Sequence, residues 1–146
     1  MLTIHRRIYM KIAWNKSNAI GIKAIDQQHQ NFFAIINKIF ALNQKKTVSK
    51  ENLTNLVYQL AGYAMFHFSA EENYCTQLRY PGTKQQILAH QKYQQVISAF
   101  MIKMQNPRTN TERLSDEIAN FSVEWLTNHI LGMDKKIGDW CKNNKK

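Results

Sequence analysis

The stretch LTNLVYQLAGYAMFHFSAEE, residues 53–72, decides the fold. Its apolar residues Leu53, Leu56, Val57, Leu60, Ala64 and Phe68 recur every three or four positions, the period of one face of an α-helix. His67 and Glu71 are four apart, so they leave that helix in the same direction and on its buried side. The neighbouring Glu72 points about 100° away and reads as solvated surface.

The helical period extends in both directions from this stretch. Glycine and proline number only five and two, and they fall as punctuation between long segments, which predicts an all-α chain. A first helix is expected from about Asp26, as N-cap, to Asn43, with Phe32, Phe33, Ile36, Ile39 and Phe40 facing inward. The second runs from about Ser49 to Leu78, where Tyr80-Pro81-Gly82 breaks it. Thr83 opens a third helix reaching Gln105, and Thr83 with Gln86 has capping-box spacing. Thr109 with Glu112 repeats that signature before a fourth helix carrying Leu114, Ile118, Phe121, Trp125 and Leu126. Four helices with short connections imply an antiparallel up-down-up-down four-helix bundle.

Length and composition limit what this bundle does. At 146 residues the chain is expected to be a single domain (1–13 arm, 14–140 core, 141–146 basic tail), with Trp14 anchoring the N-terminal arm. Met10 is a candidate internal start. No apolar run approaches the roughly 18 residues of a membrane span and no signal-peptide pattern opens the chain, so a cytoplasmic location without a membrane span is expected. The basic residues behind the net charge of +10 are spread along the chain, with concentrations only at the two ends, and accompany no nucleic-acid-binding motif, so nucleic acid is not an expected partner. Cys75 and Cys141 are 66 positions apart and form no CxxC pair, which suits free thiols in a reducing compartment.

Each predicted helix carries a candidate metal ligand: His29 on the first, His67 and Glu71 on the second, His90 on the third, His129 and Asp134 on the fourth. A lone histidine on an apolar face is usually a satisfied core residue, but four on four helices with interleaved acids point to a shared centre. Two cations a few ångströms apart repel, so anions must lie between them, and Glu71 and Asp134 are the candidate bridges. Imidazole with bridging carboxylate is iron chemistry. His129 and Asp134 are five apart, about 140° round an ideal helix, so both reach one site only if the helix loosens, which Gly132 makes plausible. The ferritin-like pattern is excluded because no glutamate has a histidine three positions later, and HExxH is missing too.

Taken in order, Trp14, Ile20-Gly21-Ile22, Asp26-x-x-His29, His67-Phe68-x-x-Glu71-Glu72, Tyr80-Pro81, His90 and Trp125-Leu126-x-x-His129-Ile130-x-x-x-Asp134-Lys135 resemble a bacterial hemerythrin. The resemblance spans roughly Trp14 to Trp140. It implies a four-helix bundle holding a non-heme di-iron centre that binds dioxygen reversibly, for storage, delivery or sensing, and that is not an enzyme. By the same resemblance His29 and His67 would serve the oxygen-binding iron, Glu71 and Asp134 would bridge, and His90 and His129 would serve the other iron. Phe32, Phe68, Trp125 and Leu126 match the family's apolar dioxygen pocket, although core packing alone also accounts for them. A monomer is expected, with the protein partner unassigned.

The departure is at residue 86, where the family has a third histidine and this chain has Gln86. Three outcomes are open: weak coordination by the side-chain oxygen, a position open to solvent, or a labile iron. An enzyme reducing peroxide or nitric oxide is therefore the alternative function.

Overall fold

The computed structural model describes residues 14–45 and 48–144. The arm residues 1–13, with the proposed start at Met10, and the last two lysines of the tail lie outside them. Four helical rods form an antiparallel bundle: α1 (Lys23–Gln44), α2 (Lys50–Gln77), α3 (Thr83–Gln105) and a fourth rod beginning with α4 (Thr111–His129). This last rod passes through a π-helical turn, Ile130–Asp134, and continues as α5 (Lys135–Asn143). Helices α1 and α2, α2 and α3, α3 and α4, and α4 and α1 pack side by side, so neighbours in sequence are neighbours in space and the ring closes. Among the described residues no helix is long and apolar enough to cross a membrane.

The helix ends show which polar groups the sequence reading placed correctly. Ser49 caps α2 by accepting from the Asn52 N–H at 3.0 Å, as expected of a serine immediately before an apolar-periodic run. Asp26 is not the N-cap of α1; it lies in the first turn, with Ile22 at the cap. Its carboxylate reaches back to accept from the N–H groups of Ile20 at 2.8 Å and Gly21 at 3.2 Å, satisfying loop donors instead of helix donors. Gly21 itself sits at φ +87°, where a side chain would be strained.

Neither predicted capping box forms. Gly82 occupies the cap of α3, the Thr83 hydroxyl donates to the Tyr80 carbonyl at 2.6 Å, and Gln86 is buried with its side chain directed into the bundle. At α4 the cap is Asn110, accepting from the Arg113 N–H at 3.0 Å, while the Thr109 hydroxyl donates to the Lys103 carbonyl. At α4 the Asn110 side chain takes the free N–H in place of Thr109, whereas α3 begins at Gly82 without any side-chain cap.

The core runs the length of the bundle. Phe32, Ile36 and Ile39 from α1 meet Val57, Leu60 and Phe68 from α2, with Tyr93, Ile97, Ile118 and Leu126 closing the far side, all buried. Trp14 packs on the edge of this core, half-buried, while the arm it was expected to anchor lies outside the described residues. At the other edge α5 presses its Gly138 against the backbone of Ile20, so closely that an added Cβ would collide with the Ile20 carbonyl.

Two glycine substitutions should therefore move stability in opposite directions. Gly138→Ala must push two backbones apart and is expected to cost roughly 1–3 kcal/mol, the usual range for overpacking. Gly62→Ala, at an exposed mid-helix site with nothing within 4 Å of the new carbon, should gain about 0.5–1 kcal/mol. Urea unfolding of the two variants beside wild type checks both signs.

Candidate metal centre

Seven polar side chains from all four rods meet in the apolar interior. His29, His67, Glu71, Gln86, His90, His129 and Asp134 are all buried. The structure brings the sequence-predicted residues His29, His67, Glu71, His90, His129 and Asp134 together. The helical spacings explain most of it: His67 with Glu71, and Gln86 with His90, each lie one turn apart on one face. His129 and Asp134 need more.

The π turn supplies the missing rotation. The Lys135 N–H bonds the Ile130 carbonyl five residues back, so one extra residue is accommodated and Asp134 comes round to the side of His129. The two side chains then stand 3.1 Å apart, Nε2 to Oδ1. Gly132 lies inside this turn, but its φ is not in the left-handed region and a Cβ there would meet nothing within 4 Å. The loosening is present without any steric need for glycine.

The two carboxylates divide the site into halves. Glu71 turns Oε2 toward His67 (3.4 Å) and His29 (3.7 Å), and Oε1 toward His90 (3.1 Å) and His129 (3.7 Å). Asp134 does the same, with Oδ2 at 3.1 Å from His29 and Oδ1 at 3.1 Å from His129. Ligand atoms of His29, His67, Glu71 and Asp134 lie within 4.8 Å of one another, and so do those of Glu71, His90 and His129. Glu71 belongs to both groups, and Asp134, a member of the first, turns its second oxygen to His129.

Several of these atoms are close without being hydrogen-bonded. His29 Nδ1 and Nε2, His67 Nε2, Glu71 Oε2, Asp134 Oδ2 and Gln86 Oε1 are buried and have no hydrogen-bond partner. Burying so many unsatisfied polar atoms together is costly, and lone pairs that converge without alignment fit a cation as their common partner. Neutral imidazoles and carboxylates are the donor types that suit iron. The residues therefore fit a metal centre.

The electrostatics of the metal-free protein follow the same division. Burial alone would lower the pKa of His29, but the adjacent carboxylates of Asp134 and then Glu71 outweigh it and raise it to about 9. His129 is likewise opposed by burial yet raised to about 9 by Asp134 and Glu71. His67 goes the other way, lowered to about 4, because burial dominates over the attraction of Glu71 and the neighbouring His29 opposes a second positive charge. Glu71 is held well below the carboxylate range despite burial, by His129, His29 and His90.

Three residues around the site escaped the sequence reading or were misassigned. Glu72, read as solvated surface, has Oε1 2.8 Å from His90 Nδ1 with its side chain 30 % exposed. Gln28 places Oε1 2.7 Å from His67 Nδ1. Gln86, for which both a capping role and a place at the missing histidine's position were open, donates from Nε2 to Asp134 Oδ1 at 3.1 Å. Nothing in the periodicity marks Gln28 or Glu72, since both lie on the flank of a helix and reach sideways to the neighbouring one. Three of the four predicted apolar residues lie against the imidazoles: Phe68 stacks on His90 at 4.0 Å, Trp125 on His129 at 4.4 Å, and Phe32 meets His67 edge-on, while Leu126 is buried in the core.

Comparison with known proteins places this geometry. Residues 20–141 match the family model described as the hemerythrin HHE cation binding domain. The chain belongs to the hemerythrin family. It is 29 % identical to a bacteriohemerythrin of Clostridium acetobutylicum over 86 % of this chain and 98 % of that protein. Its identity to a bacteriohemerythrin of Stenotrophomonas maltophilia is 25 %, covering 90 % and 82 %, and to a hemerythrin-like protein of Naegleria gruberi 27 %, covering 84 % and 87 %. A crystal structure of a point mutant of another protein superposes with a TM-score of 0.80 at 21 % identity, covering 89 % of this chain and 97 % of the other, and so shares the bundle. Membership makes this hemerythrin-family chain a cation-binding protein.

The two thiols near the lower end of the bundle should differ sharply in reactivity. Both are free; Cys75 is buried and its thiol is pushed up to about 12, chiefly by burial, while Cys141 is partly accessible. At pH 8 a disulfide reagent is expected to label Cys141 first and Cys75 only as the protein unfolds, measurable by mass spectrometry of the modified chain.

Proposed function

We propose that this chain binds dioxygen reversibly at a non-heme di-iron centre, for storage, delivery or sensing. The observation that carries the proposal is the way Glu71 and Asp134 each direct one oxygen to the His29/His67 side and the other to the His90/His129 side. On this reading His29 and His67 hold one iron, His90 and His129 the other, and the two acids are shared. Two iron ions there would supply the pair of electrons that reversible dioxygen binding needs.

The protein's own residues do the remaining work. Glu71 and Asp134 neutralise like charges brought close together, which nothing else in the buried interior does. Phe32, Phe68, Trp125 and Leu126 keep bulk water and protons away, so that binding is not diverted into irreversible oxidation. Gln86 stands where the resemblance places a third histidine, and its amide N–H holds Asp134 in orientation. That substitution favours a second reading, in which the His90/His129 side is more open and the centre reduces peroxide or nitric oxide.

Iron counting and spectroscopy separate these readings. Protein loaded with ferrous iron without air is expected to retain two irons per chain and to develop a visible charge-transfer band on oxygenation that disappears on deoxygenation. One iron per chain would contradict the two-iron reading, and rapid bleaching with turnover of peroxide or nitric oxide would replace carriage with catalysis. Gln86→His should slow autoxidation and tighten the second iron if residue 86 is where the difference lies.

Loading should also expel protons. With His29 and His129 raised to about 9, both imidazoles are protonated at pH 7 in the metal-free protein and cannot ligate until those protons leave. Uptake at pH 7 should release about two protons from this pair, and fewer as the pH of the experiment rises through 9, since deprotonation is then complete beforehand. Calorimetry in buffers of different ionisation enthalpy reads the number directly.

A further inference from the structure

The two sides of the centre differ in what holds the outer nitrogen of a histidine. His67 Nδ1 faces the neutral amide oxygen of Gln28 at 2.7 Å, whereas His90 Nδ1 faces the carboxylate of Glu72 at 2.8 Å. An amide oxygen and a carboxylate oxygen accept, so once a cation is held Nδ1 is the nitrogen that carries the hydrogen in both rings and Nε2 turns its lone pair inward. For His90 that lone pair lies 3.1 Å from Glu71 Oε1 and 3.1 Å from His129 Nε2, in the midst of the His90/His129 group. The ring is locked there by parallel stacking on Phe68 at 4.0 Å.

A carboxylate accepting from Nδ1–H draws the proton outward and makes the inner nitrogen a stronger donor than an amide partner does. The side that receives this help is the side of Gln86, where an amide stands in place of an imidazole. We propose that Glu72 is a positioning residue that strengthens His90 so that a divalent cation is retained on the His90/His129 side despite Gln86. This rests on the di-iron reading above. Glu72 meets the ligand set at the outer nitrogen of His90, so it acts through that ring.

The test is a double-mutant cycle read as cation affinity, with ferrous iron as the probe in anaerobic equilibrium dialysis. Glu72→Gln keeps an acceptor but removes the charge, and should weaken one of the two irons about 10- to 100-fold while leaving the other unchanged. Glu72→Asp, with the charge retained but withdrawn by one methylene, should fall between wild type and Glu72→Gln. In a Gln86→His background the same Glu72→Gln change should leave both irons bound, because a third imidazole makes the help unnecessary. Glu51→Gln, an exposed acid at the start of α2, controls for general loss of negative charge and should have no effect. Circular dichroism of each metal-free variant checks that the bundle forms.

Two irons bound at wild-type affinity by Glu72→Gln would overturn the Glu72 proposal alone. Equal losses with and without Gln86→His would overturn it too, since compensation for residue 86 would then play no part. A wild-type chain that binds no ferrous iron would overturn the di-iron reading and the inference built on it together.

Discussion

Burying two carboxylates in an apolar bundle is the constraint on which the rest of this structure depends. Glu71 and Asp134 are fully buried, and an isolated carboxylate in such a place would either take up a proton or unfold the region around it. Four imidazoles from four rods surround them instead. In the metal-free chain the compensation is partial: His29 and His129 are drawn into the charged form, while several lone pairs remain without partners. The bundle is thus assembled round a polar centre that its own side chains do not fully satisfy, and a cation completes the balance.

That constraint explains which parts of the molecule were readable in advance. The fold follows from the 3.6 period in stretches such as residues 53–72, and the bundle order from short connections after Gln44, Leu78 and Gln105. The inward histidines were legible because a polar residue inside an apolar stripe breaks the pattern. Even the local loosening of the fourth rod could be anticipated, since His129 and Asp134 cannot share a face of a regular helix. What remained hidden was of a different kind. Asp26, Thr83 and Thr109 were assigned to helix starts by spacing alone, yet their side chains bond other backbone groups: Asp26 accepts from Ile20 and Gly21, and the Thr83 and Thr109 hydroxyls donate to the Tyr80 and Lys103 carbonyls. Glu72 and Gln28 reach across to another helix, and a partner on a different element leaves no mark on the local period.

The aromatic residues unite two roles that sequence alone could not separate. Phe68 and Trp125 are ordinary members of apolar stripes, and they are also flat surfaces lying parallel to His90 and His129. Stacking limits ring rotation, so the same contacts that fill the core also aim the inner nitrogens. Tyr93 adds a fully buried hydroxyl bonded to Ser122, closing the core beneath Phe68 with its polar tip satisfied.

The π turn has one more effect, on the far end of the chain. An extra residue in a helix acts as a phase shift: everything after residue 134 is turned by about 100° relative to a regular continuation of α4. Gly138, four residues further on, meets the backbone of Ile20 only in that shifted phase, and Ile20 in turn is bonded through its N–H to Asp26 at the head of α1. The rotation that delivers Asp134 to the centre is therefore the same rotation that latches the end of the chain onto its beginning. Deleting a single residue from the turn would unfasten that latch and withdraw a buried acid in one step, so the closure of the bundle and the integrity of its centre share a mechanical origin.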